Sequence, residues 1–167
     1  MKRILSVLLI LFVVAACSSN KDKEYFESAS AKYKANDFSG AVMGYQKLLN
    51  EYPDSKYAQD SYFAIAGIYQ MSKIPNLSKG ESAQKAIEYF QKFYKQFPNS
   101  DRTPKALFLI GFIRANDLQE YDSAKIAYNE FLNKYPQNEL AASVKMELEN
   151  LGRTPDEIIE QKQTVSK

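Results

Sequence analysis

Cys17 is the only cysteine in the 167-residue chain, and its setting predicts a covalent modification of its thiol. It follows Ala15 and Ala16, at the end of an unbroken apolar run that begins shortly after Lys2 and Arg3. A basic start, an apolar stretch too short to span a bilayer and small residues at its end are typical of a cleavable export signal. Ordinary signals of this kind need no cysteine. Either the segment is a plain secretory signal and Cys17 is accidental, or it is a signal that directs the modification of Cys17.

Residues 14–17, with the sequence Val-Ala-Ala-Cys, resemble a lipobox. In lipobox proteins a peptidase cuts before the cysteine and its thiol carries a diacylglycerol. The resemblance implies a lipoprotein signal peptide at residues 1–16, lipidation of Cys17, and a lipidated polar tether at residues 17–23. It also implies a location in the cell envelope. Ser18, rather than an aspartate, after the cysteine favours the outer membrane, facing the periplasm, over the inner membrane.

The composition of the remaining chain argues against bond chemistry. There is no histidine, which removes the commonest metal ligand and the commonest general base together. Lys2 and Arg3 account for two of the 22 basic residues, so the chain from Cys17 onward balances 20 basic against 20 acidic side chains. A nucleic-acid partner requires a net basic face. We therefore predict no enzyme activity, no cofactor, no metal and no nucleic-acid partner, and infer no small-molecule substrate.

An internal repeat organises the chain after the tether. Three segments align without gaps, each reading Ala-x3-aromatic-x2-apolar-x3-aromatic-Pro; they are residues 41–53, 86–98 and 124–136. Offsets of 4, 7 and 11 residues place the apolar positions on one face of an α-helix. Each segment therefore predicts a helix that stops at its proline and approaches a neighbouring helix closely at its alanine.

The segments between these helices predict their partner helices. The residue two places after each proline is polar and can cap the next helix; these residues are Ser55, Ser100 and Asn138. A first helix precedes a turn at residues 36–37, and a last one runs from about residue 139 to 151 and ends at Gly152. The pattern gives three helix pairs plus a closing helix. Residues 153–167 are expected to form a short helix and a polar tail.

These features resemble the tetratricopeptide repeat family, whose 34-residue unit is a helix-turn-helix that ends in proline. Ala29, Ala41, Tyr45 and Pro53 follow its small-x11-Ala-x3-aromatic-x7-Pro pattern. The resemblance implies an all-α fold over residues 24–152: a short right-handed superhelix of about three degenerate helix pairs with a C-terminal capping helix. Lengthened repeats on a lipidated chain look most like the BamD class of outer-membrane assembly lipoproteins, and also like the repeat domain of the Tol-Pal-associated protein CpoB.

The resemblance also implies a candidate peptide groove, because in tetratricopeptide proteins the first helix of each pair lines the concave face. The implied groove residues are Phe26, Tyr33, Phe63, Gln70, Lys105, Phe108 and Phe112. Aromatic side chains give large contact areas at recognition surfaces. Apolar residues at helical spacing also pack against neighbouring helices, so both interpretations of the phenylalanines stay open.

Residues 71–80 break the second repeat and are predicted to form a loop, either a tolerated insertion or a functional segment. With the lipid anchor, the repeats predict a protein–protein interaction scaffold in the cell envelope, with an envelope protein or peptide as its partner. A subunit of an outer-membrane protein assembly machine is an alternative within this class. An envelope enzyme acting on peptidoglycan is a further alternative, which would need a buried carboxylate in a cleft.

Overall fold

The computed structural model describes residues 20–154, 156 and 157. The expected signal peptide, Cys17 and most of the expected final helix lie outside these residues. The described part contains seven α-helices: α1 Lys21–Lys34, α2 Phe38–Glu51, α3 Ala58–Gln70, α4 Lys79–Gln96, α5 Thr103–Asn116, α6 Tyr121–Lys134 and α7 Ala141–Glu149.

The helices stack in chain order. Each of the pairs α1 with α2, α3 with α4, and α5 with α6 packs together, and α2, α4 and α6 also pack against the helix that follows. The predicted all-α architecture of three helix pairs and a closing helix is confirmed. None of the described helices has the length and apolar character needed to cross a membrane.

The three repeated prolines end their helices as predicted. The residue before each proline is the C-cap of its helix: Tyr52, Phe97 and Tyr135. Their ψ angles of 63°, 58° and 51° lie outside the helical range, as the ring of a following proline demands. After each of the three prolines the chain makes the same turn, in which the amide two residues after the proline donates to the C-cap carbonyl over 3.0 to 3.1 Å.

The three polar residues that were expected to be N-caps hold this turn instead. Each side-chain oxygen accepts a hydrogen bond from the amide two residues later, at 3.1 Å for Ser55, 3.2 Å for Ser100 and 3.0 Å for Asn138. This is the local bond of Ser and Asn turns. The assigned N-caps are the donors of those bonds, so the helices begin later than expected; they are Tyr57, Arg102 and Leu140.

The core lies along the contacts between helices. Ala41, Ala86 and Ala124 have no solvent exposure, which agrees with their assignment to the closest helix approaches. Large rings fill the spaces between these contacts; Phe90, Phe93, Tyr128 and Phe131 are the largest fully buried side chains. The core therefore follows the repeat pattern through all three pairs.

The ends and the long loop differ in detail from expectation. Helix α1 begins at Lys21, inside the segment expected to be the tether. Helix α7 ends at Glu149, slightly before the predicted end, and Gly152 has a φ of 77°. The loop between α3 and α4 spans residues 71–78, and its Ile74 and Leu77 pack against the core.

Candidate protein-binding groove

A groove of about 450 Å³ lies along α3, with walls from α1, α2 and the segment before α5. Three of the seven predicted groove residues line it, namely Tyr33, Phe63 and Gln70. Tyr33 is 39% exposed and Met71, at the start of the long loop, is 43% exposed, so two large apolar side chains are open to a partner. The groove thus offers a preformed apolar surface.

Phe63 belongs both to the core and to the groove. Its ring makes edge contacts with Phe90 and Phe93, with centroids 5.3 and 4.7 Å away, and both of those rings are buried. The Arg102 guanidinium stacks over the same ring, with its carbon 3.9 Å from the centroid. The side chain is therefore held in place from the core side while part of it faces the groove.

A charged pair closes one side of the groove. The Arg102 guanidinium donates to the Asp60 carboxylate over 2.5 Å, and both side chains are more than a third exposed. Pairs exposed to this degree contribute roughly 0–1 kcal/mol to stability. Their main consequence is to place one positive and one negative group beside the exposed aromatic surface, where each can bond to a polar group of a partner.

Tyr45 forms a rigid part of the groove wall. It is almost completely buried, and its hydroxyl lies 3.0 Å from the Ser30 hydroxyl. Burial raises the pKa of this phenol, while the Ser30 hydrogen bond opposes part of the rise. Tyr45 therefore stays neutral and serves as a hydrogen-bonding group.

The other four predicted groove residues do not line this groove. Phe26 stacks on Tyr57 with ring centroids 4.7 Å apart. Phe108 packs near Phe112 and Tyr128, at 6.0 and 6.3 Å between centroids. Lys105 is exposed on α5. Phe108 occupies the position of Phe63 in its own repeat, but it contacts α6, and no wall of this groove includes it.

Arg102 is a charged groove residue that the sequence analysis did not single out. It lies 39 residues after Phe63 in the chain, and the two meet because the turn before α5 packs against α3, where Ser100 donates to Gln59 and Arg102 to Asp60. Its sequence position could have predicted this role. Arg102 comes two residues after the serine of its Pro-x-Ser turn, as Tyr57 does in the first repeat, and Tyr57 stacks on Phe26.

A second groove, of about 360 Å³, lies among α4, α5 and α6. Ile126 lines it and is 68% exposed, and the Tyr94 hydroxyl at its margin accepts from Lys134 and donates to Glu130 over 2.7 Å. This surface does not include the predicted groove residues.

Comparison with known protein families assigns the chain to one family. A family described as outer membrane lipoprotein, named YfiO, matches residues 18–153. The chain belongs to this family. The pattern of a prokaryotic membrane lipoprotein lipid attachment site matches residues 1–18 of this YfiO-family protein, the segment that contains Cys17. The expected location as an outer membrane lipoprotein is confirmed.

Individual relatives agree with this family. The YfiO-family chain is 25% identical over 149 residues to proteins of Neisseria meningitidis serogroup B and Neisseria gonorrhoeae, both named outer membrane protein assembly factor BamD. The alignments cover 81% of this chain and 52% of each relative, so the chain spans about half the length of the curated relatives it matches.

The fold of the YfiO-family chain is that of tetratricopeptide domains. It superposes on the Arabidopsis OM64 TPR domain with a TM-score of 0.53 and 19% identity, covering 77% of this chain and 94% of that domain. At this identity the likeness concerns the fold alone. It confirms the tetratricopeptide-like stacking of the helices.

Proposed function

We propose that the protein is a lipid-anchored scaffold that takes part in outer-membrane protein assembly, in the manner of BamD. The observation that carries this proposal is the family match over residues 18–153, joined to relatives that bear the name of assembly factors. In this proposal Cys17 holds the lipid. The preformed helix array presents its α3 groove to an envelope protein or peptide.

The groove has the chemistry that a protein partner needs. Exposed Tyr33 and Met71 supply contact area, while Arg102 and Asp60 supply a charge of each sign at the margin. Interfaces depend on aromatic and arginine anchors in desolvated pockets, with polar groups at the rim. Because Phe63 and Tyr45 are already fixed by contacts within the protein, ordering these two side chains adds little to the free-energy cost of binding a partner.

Carboxyl groups of the described chain support a binding role over a catalytic one. A general acid needs a raised pKa. The described carboxyls with a clearly shifted pKa are all lowered by hydrogen bonds, from Ser55 for Asp22, Ser78 for Glu81, Lys134 for Glu130 and Thr154 for Glu157. An enzyme acting on peptidoglycan has no candidate acid among them.

Photo-crosslinking in living cells tests the proposal. A photoreactive amino acid replaces Gln70 at the groove, and a matched chain carries it at Ile126, on the second groove. We expect the chain modified at Gln70 to capture a component of the outer-membrane assembly machinery or one of its client proteins, with several-fold less captured from Ile126. Equal capture at both positions, or capture of no assembly component, would contradict the proposal.

A further inference from the structure

The distance between the lipid and the first helix is very short. Only Ser18 and Ser19 separate Cys17 from Asn20, the N-cap of α1. Because successive Cα atoms are 3.8 Å apart, the Cα atoms of Cys17 and Asn20 are at most about 11 Å apart. A lipid on Cys17 holds that residue at the level of the headgroups, so the start of α1 has to remain near the bilayer surface.

The start of α1 is hydrogen-bonded to the end of α2 and to the turn between α2 and α3. The Ser55 hydroxyl donates to the Asp22 carboxylate over 2.7 Å, and the Tyr25 hydroxyl donates to Glu51 over 3.1 Å. The rings of Tyr25 and Tyr52 lie 5.9 Å apart. These contacts make one surface of residues 21–25 and 51–56, which we call the first-repeat edge. Whatever holds α1 near the membrane brings this whole edge with it.

The exposed side of α1 does not suit a helix that lies flat in a bilayer. A helix in the interface plane buries an apolar face. The apolar face of α1 packs on α2, and its exposed positions include charged side chains along its whole length, among them Lys23, Glu27 and Lys32. If only the N-terminal end of α1 meets the membrane, these charged side chains remain in water.

We propose that the first-repeat edge contacts the lipid headgroups of the membrane that carries the Cys17 lipid, and that the short tether sets this contact. The helix array then begins at the bilayer surface. Tyr33, at one end of the groove, lies twelve residues beyond Lys21 on α1, or about 18 Å along the helix, which keeps that end of the groove clear of the headgroups. The proposal rests on lipid attachment and is independent of the partner that the groove binds.

Fluorescence quenching in vesicles tests this arrangement. The lipidated protein is reconstituted in vesicles of phosphatidylethanolamine and phosphatidylglycerol that contain a spin label on a lipid headgroup. One variant carries Asp54→Cys on the first-repeat edge, and its matched control carries Lys34→Cys at the other end of α1; both positions are exposed. The Cys17 sulfur is consumed in the thioether, so a thiol-reactive fluorophore labels only the introduced cysteine. Lys56→Cys provides a second position on the edge.

We expect the spin label to quench the fluorophore at residues 54 and 56 several-fold more than at residue 34. Equal quenching at both ends of α1, or stronger quenching at residue 34, would overturn the proposal. A further variant has ten Gly and Ser residues inserted after Ser19, which adds a reach of roughly 18 Å. Quenching at residue 54 should then fall toward that at residue 34. Unchanged quenching would refute the role of the short tether, and thermal melts establish that each variant is folded.

Discussion

At the residue scale, Tyr45 and Tyr128 occupy the same position of the repeat but have different hydrogen bonding. The Tyr45 hydroxyl lies 3.0 Å from Ser30. The Tyr128 hydroxyl is buried with no hydrogen-bond partner among the described residues. Burial, followed by the charge of Glu147, raises the pKa of Tyr128. A buried donor of this kind costs free energy that its ring packing has to offset.

Removal of the two hydroxyls should therefore change the free energy of unfolding differently. We expect Tyr128→Phe to leave the free energy of unfolding unchanged or to raise it by up to about 1 kcal/mol. Tyr45→Phe should lower it by about 0.5–1.5 kcal/mol, because it removes a hydrogen bond. Urea denaturation of both variants measures the difference. A larger loss for Tyr128→Phe than for Tyr45→Phe would mean that the Tyr128 hydroxyl has a partner.

Phe63 and Phe108 provide a test of which phenylalanine serves the groove. Phe63 lines the groove, whereas Phe108 packs near Phe112 and Tyr128. Loss of an interface anchor can cost about 2 kcal/mol or more of binding free energy. We expect Phe63→Ala to reduce partner recovery after crosslinking at Gln70, beyond any loss of folded protein. Phe108→Ala should lower the melting temperature and leave recovery per folded molecule unchanged. The reverse result would assign Phe63 to the core alone.

At the scale of the helix, local pattern predicted more than relative placement did. The spacing from Ala41, Ala86 and Ala124 to their prolines defined three helices, because apolar periodicity and proline act within one helix. The starts of α3, α5 and α7 were missed because serine and asparagine bonded two residues ahead instead of capping. The family resemblance predicted Tyr33, Phe63 and Gln70 as groove residues, and these three line the α3 groove. Arg102 was not predicted, since its position over Phe63 depends on how the turn before α5 packs against α3.

Close contact between α5 and α6 depends on the absence of a side chain at Gly111. A Cβ atom placed there would lie 2.5 Å from Cε1 of the buried Tyr128 ring, whereas one at Gly67 would have no atom within 4 Å. We expect Gly111→Ala to lower the free energy of unfolding by roughly 1–3 kcal/mol through overpacking. Gly67→Ala should raise it by about 0.5–1 kcal/mol, as alanine favours a helix interior. Chemical denaturation of the two variants measures these changes. Equal effects of both substitutions on the free energy of unfolding would contradict the close contact between Gly111 and Tyr128.

Ala86 tests the helix contact on the second repeat. It is fully buried on α4, at the position shared with Ala41 and Ala124. Although Ala86→Leu adds apolar area, we expect it to destabilise the fold by roughly 1–3 kcal/mol, because the larger side chain forces neighbouring rings off their rotamers. Thermal melts beside Lys85→Leu, an adjacent and less buried position, separate overpacking from added hydrophobicity. A melting temperature for Ala86→Leu at or above that of the parent chain would remove the basis for the repeat register.

At the scale of the whole molecule, the lipid attachment site and the α3 groove lie in separate parts of the chain. The groove is built from α1 to α3 and from Arg102 just before α5, while the lipid attachment site matches residues 1–18. A stacked repeat array gains its stability from contacts between neighbouring helices. Anchoring should therefore be separable from folding, since the described core is formed by residues from Ala29 onward.

Cys17→Ser should separate the two properties. The chain has no second cysteine, so no other thiol can form the thioether with the lipid. We expect the variant to incorporate no radioactive fatty acid in cells and to accumulate as an uncleaved or soluble form. Its repeat domain should melt at the temperature of the parent domain, because a serine hydroxyl at residue 17 changes no contact within the described core. Ser18→Ala, which keeps the thiol, serves as the matched control and should be labelled normally. Fatty-acid labelling of Cys17→Ser together with recovery in the membrane fraction would contradict lipid attachment at Cys17, and with it the membrane contact of the first-repeat edge.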